Sequence, residues 1–155
     1  MTHASNSSSS DSTVTVVGSR KLERIPIELL TMMQFSFPEQ ATVFLRHPLH
    51  KKPQRFERMV ALACDHFAIH YEWRQPEPGG RAQVFYRDID MVGRSGLVLA
   101  FFADDLMTGG TEHVVEKAID QMVPSYSYGI RDGRLRLLGS HDPYDIWGRV
   151  FRIGV

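Results

Sequence analysis

Phe56-Glu57-Arg58-Met59-Val60-Ala61-Leu62-Ala63-Cys64 is the stretch on which the fold turns. From Met59 onward it is an unbroken apolar run. A run of that length, bounded by polar residues, fits a buried strand. Before it lies a strand-like segment, Ala41-Thr42-Val43-Phe44-Leu45-Arg46, and after it Asp65-His66 reads as a turn. Next, Phe67, Ile69, Tyr71 and Trp73 alternate with Ala68, His70 and Glu72, the period of a half-buried strand. The expectation is an antiparallel meander of three strands, with His47-Pro48-Leu49-His50-Lys51-Lys52-Pro53-Gln54-Arg55 as the basic hairpin loop between the first two.

Working outward, the Pro and Gly residues at 75–80 punctuate a further hairpin that leads to strand four at 83–86 and strand five at 97–102. The period then changes. Val115, Ala118, Ile119 and Met122 share one helical face, and Thr111, Glu112 and Glu116 favour the start of a helix over 111–122. Tyr126, Tyr128 and Ile130 alternate, and Asp132-Gly133 is a tight-turn pair before Leu135 and Leu137, which gives strands six and seven. Asp142 as cap and Pro143 at the first helical position open a last helix striped by Tyr144, Trp147, Val150 and Phe151. Upstream, residues 1–13 are a Ser-rich tail with almost nothing to bury and are expected to be disordered. Residues 14–40 read as an extension with a short helix beginning at Pro26.

With 155 residues, 43% of them hydrophobic, the chain suits one domain with its own core. Eighteen basic residues balance eighteen acidic ones, so the overall field does not suggest a nucleic-acid binder. A single cysteine, Cys64, sits in an apolar run, reads as an inert buried thiol, and fits a cytoplasmic setting. There is no transmembrane-length apolar segment and no signal-peptide pattern.

Seven strands followed by a helix bearing Trp147 resemble the pleckstrin homology domain over about residues 41–153. The local pieces that carry the resemblance are Phe44-Leu45-Arg46, Arg58-Met59-Val60-Ala61-Leu62, Ile69-His70-Tyr71, the stretch 77–92, and Asp145-Ile146-Trp147-Gly148-Arg149-Val150-Phe151. The resemblance implies a bent seven-stranded antiparallel barrel over 41–155. Its open end would be plugged by a C-terminal helix centred on Trp147, and the 111–122 helix would be inserted between strands five and six. It also implies non-catalytic recognition of a protein partner, or peripheral attachment to phosphoinositide or other anionic lipid at a membrane or the cytoskeleton. In the lipid reading Arg46, Lys51, Lys52, Arg55 and Arg58 hold the phosphates. Phe56 and Glu57 depart from the family's Lys/Arg-x-Arg at the start of strand two, removing one ligand and adding a repulsive carboxylate.

Other constellations are weaker. His66, His70 and Glu72 suit the polar face of a strand, and His113 and Glu116 suit one helix face; neither reaches the four ligands of a structural zinc site. Gly109-Gly110 before a helix is too short a glycine signal for nucleotide binding. No nucleophile motif stands out, so neither catalytic residues nor a cofactor are expected. A small enzyme whose site the sequence does not reveal is the remaining alternative.

Overall fold

The protein is described from a computed structural model covering residues 12 to 154. The expected tail therefore lies outside the described residues up to position 11. Six strands form one sheet: β1 (Thr13–Gly18), β2 (Thr42–Arg46), β3 (His70–Arg74), β4 (Leu97–Ala103), β5 (Ser125–Arg131) and β6 (Arg134–His141). Their order is β3-β2-β1-β4-β5-β6. The first five run parallel, and only β6 pairs antiparallel with its neighbour. Helices α1 (Ile27–Phe35), α2 (Arg55–Phe67), α3 (Arg81–Gly93) and α4 (Gly109–Asp120) connect successive parallel strands, and a four-residue α5 (Gly148–Phe151) follows the sheet.

The seven-stranded antiparallel barrel is thus overturned: the chain is an open, mostly parallel α/β sheet covered by helices. The error begins at the quoted stretch, because 56–64 is helical. Phe56, Val60, Ala63 and Cys64 are buried at helical spacing, while Leu62, inside the apolar run, is 68% exposed. Met, Leu and Ala are also good helix formers, so local preference and burial agree. Ala68, in the left-handed region at φ 57°, ends the helix, and the Ile69 N–H returns to the Cys64 carbonyl. Expected strand four, 83–86, likewise lies inside α3. The helix over 111–122 is no insertion; it belongs to α4, the crossover between β4 and β5.

Alternate residues of each central strand enter two cores. Val14, Val16, Val43, Leu45, Leu97, Leu99, Phe101, Tyr126 and Tyr128 pack with α1 and α2 on one face. Val17, Phe44, Val98, Ala100 and Phe102 pack with α3 and α4 on the other. Burial on both faces explains why β1, β2 and β4 are nearly continuous apolar runs. The hairpin between β5 and β6 is as expected, with Asp132 and Gly133 both at positive φ.

The Trp147 cap is also corrected. Trp147 is half-buried just before the short α5, where its indole N–H donates to the Gly96 carbonyl at 3.2 Å and its ring packs on Phe151. It braces one face of the sheet and plugs no barrel.

Candidate ligand-binding site at the carboxyl ends of the strands

The strand order reverses at β1: the chain builds outward through β2 to β3, then crosses back to add β4 on β1's other side. In open parallel sheets, ligands bind outside the carboxyl ends of the strands near such a reversal. A cavity of about 450 Å³ lies there, lined by the loops that follow β2 and β3 and by the first turn of α4.

Its floor is set by Arg46, the last residue of β2. The Arg46 Nε donates to Glu57 Oε2 at 2.8 Å, and Nη2 donates to the Gly18 carbonyl at 2.8 Å and to Thr111 Oγ1 at 3.2 Å. One guanidinium therefore ties β1, β2, α2 and α4 together. Gly18 has to be glycine for this convergence, since a Cβ there would overlap the Phe56 ring. Glu57 is 1% exposed, and burial pushes its carboxyl above the usual range against the pull of Arg46. Its second oxygen, Oε1, is buried and has no well-formed hydrogen bond among the described residues, although the Glu57 and Gly18 backbone N–H groups lie near enough to the carboxyl to oppose the upward push of burial; Oε1 of Gln54 is likewise buried and unpartnered among the described residues. Both residues line the cavity.

A second guanidinium sets the far wall. Arg87 on α3 pairs with buried Asp88 at 2.7 Å and donates to the carbonyls of Arg74 at 3.1 Å, the last residue of β3, and of His47 at 3.4 Å, the first residue past β2. Asp88 also meets His113 Nδ1 of α4 at 3.1 Å. These bonds fix α3 so that its first turn faces the cavity. Gly79 and Gly80, at φ 138° and 89°, make the sharp approach that lets α3 begin there.

Three helices therefore open onto one space: α2 after Gln54, α3 after Gly80 and α4 at Gly110. None has a side-chain hydrogen bond capping its amino end. Helix amino ends leave their first N–H groups without intrahelical partners, and each amino end carries roughly half a positive charge. Arg46, Arg87 and Lys51 line the cavity against Glu57 and Glu77. The two arginines are held by Glu57 and Asp88, whereas Lys51 is exposed and has no ion pair among the described residues.

The five cations singled out by sequence do not form one array. Arg46 is buried in its ion pair and Lys51 lines the cavity, while Arg55 and Arg58 border a separate groove beside Leu62, Tyr71 and Trp73. Lys52 is exposed in the loop leading to α2. Among the described residues no group of three or more His, Cys, Asp or Glu is arranged to hold a metal ion. Nor is any described helix long and apolar enough to cross a membrane. Comparison with protein-family models, with curated proteins and with solved structures gave no match.

From sequence Glu57 reads only as a repulsive carboxylate and Thr111 only as a helix start, and Gln54 and Arg87 receive no role. The available signal was Gly109-Gly110 before a helix, together with apolar runs too continuous for a one-sided antiparallel sheet.

Proposed function

We propose that the chain binds a small phosphorylated molecule, of the nucleotide or sugar-phosphate class, in the cavity over the carboxyl ends of β2, β3 and β4. The observation that carries this reading is the meeting of three helix amino ends, none capped by a side chain, on one cavity of about 450 Å³. Free N–H groups and aligned helix dipoles favour an anion, and the cavity volume is in the range of small-ligand sites. Lys51 supplies the unpaired cation at the rim. Arg46 and Arg87, already neutralised, act as framework that keeps the helix ends aimed.

The test is calorimetric titration of the native chain and of Gly110→Asp with AMP and with inorganic phosphate. A Cβ at Gly110 has ordinary room, its nearest neighbour being Arg46 Nη1 at 3.5 Å. An acidic residue in the first turn suits the helix dipole, so the variant should fold at least as stably as the native chain. It should nevertheless bind AMP at least tenfold more weakly, because its carboxylate competes for the same N–H groups. Absence of AMP and phosphate binding at millimolar concentration, or equal affinity in the variant, overturns the reading.

A further inference from the structure

Two oxygens in the cavity are unexplained by a phosphate alone. Glu57 is held by Arg46 through Oε2, which fixes the carboxylate and leaves Oε1 buried without a well-formed hydrogen bond among the described residues. Gln54 stands immediately before α2, where its backbone carbonyl accepts the Arg58 N–H at 3.1 Å, and its side-chain Oε1 is likewise buried and without a partner. A buried acceptor left unpaired is costly, and a carboxylate accepts hydrogen bonds only. Next to a bound phosphate, a second anion is repulsive unless a group that donates hydrogen bonds lies between them. A fully ionised phosphate has no such donor, and a sugar has several.

We infer that, within the phosphorylated-ligand reading on which this rests, the ligand is a sugar phosphate whose hydroxyls donate to Glu57 Oε1 and Gln54 Oε1. The phosphate then lies toward the helix amino ends and Lys51, and the sugar lies over the buried edge formed by Gln54 and Glu57. The two residues separate hydroxylated from plain alkyl phosphates, which the helix ends alone would treat alike.

Ribose 5-phosphate, n-butyl phosphate and 2-aminoethyl phosphate, titrated calorimetrically against the native chain, Gln54→Leu and Glu57→Gln, decide the matter. The native chain should prefer ribose 5-phosphate over butyl phosphate at least tenfold. Gln54→Leu should lose most of that preference, its affinity for ribose 5-phosphate falling close to its affinity for butyl phosphate. Because Gln54 makes no side-chain capping bond, this variant keeps the test readable even where Glu57→Gln, which weakens the Arg46 pair, fails to fold. Equal binding of ribose and butyl phosphates overturns the inference and leaves the phosphate site standing. Tighter binding of aminoethyl phosphate than of ribose 5-phosphate overturns it in favour of an ammonium ligand. If none of the three probes binds, both this inference and the phosphate reading fall.

Discussion

At the scale of single residues, Arg46 and Glu57 carry most of the consequence. An arginine at the end of a strand, followed by a basic loop, invites a reading as a phosphate ligand. Burial reassigns it: its side chain is 10% exposed and that of Glu57 1%, so each is the other's main compensation for leaving water. Removing one partner strands the other. Arg46→Ala is therefore expected to cost about 3 to 5 kcal/mol in urea unfolding, because the Glu57 charge, the Gly18 carbonyl and the Thr111 hydroxyl all lose their donor. Replacing both members by apolar residues, Arg46→Met with Glu57→Leu, should recover much of that loss, since well-packed apolar substitutes for a buried pair are often neutral. A cost under about 1 kcal/mol for Arg46→Ala, the level of an exposed ion pair, would show that the pair does not organise the site.

At the scale of elements, the decisive difference is helix against strand over 55–67. The two assignments give opposite expectations for neighbouring apolar residues. In the helix Val60 is wholly buried under the sheet and Leu62 faces outward at 68% exposure. Val60→Ala should cost about 2 kcal/mol, and Leu62→Ala, although it deletes more carbon, should stay under about 0.5 kcal/mol. Comparable losses at both positions in chemical unfolding would contradict the helix. Much of the rest was legible. The segments of β2 and β4, helices α1 and α4, and the Asp132-Gly133 hairpin follow from local pattern, whereas β1, central in the sheet, falls in what reads as an extension. Two further things were not. Met59 to Cys64 has the composition of a buried strand as well as of a helix, and periodicity over six apolar residues does not separate them. The site was hidden for another reason. It is assembled from Arg46, Glu57, Arg87 and Thr111 on four different elements, and a pair such as Arg46 with Glu57 becomes visible only when a crossover brings the start of a helix back over the end of the strand before it. The expected barrel failed at this same level. Adjacency in sequence suggests three antiparallel neighbours, whereas β2 and β3 are parallel and joined through α2.

At the scale of the whole molecule, one half of the sheet carries the cavity and the other half does not. The loops after β2 and β3 and the first turns of α2, α3 and α4 converge, while the β5–β6 hairpin closes the far edge with its own tight turn and pairs across seven registered positions. A guest in the cavity bridges three helices that otherwise meet the site through separate loops. Its effect on stability should therefore be global in size and local in distribution. At a hundredfold excess over its dissociation constant, a ligand that binds only the folded chain adds about 2.7 kcal/mol. For a chain of this size each kcal/mol raises Tm by about 2 to 4 °C, so AMP at that excess should raise Tm by about 5 to 10 °C in scanning calorimetry. Hydrogen exchange below the unfolding range should show where the effect arises. The first-turn amides of α2, α3 and α4, including those of Arg55, Arg81 and Gly110, should slow most, because they face the guest. Amides of β5 and β6 should change little. A Tm rise accompanied by protection centred on the β5–β6 hairpin would move the ligand away from the cavity, and protection confined to α4 would mean that a single helix end, and not the convergence of three, holds the anion.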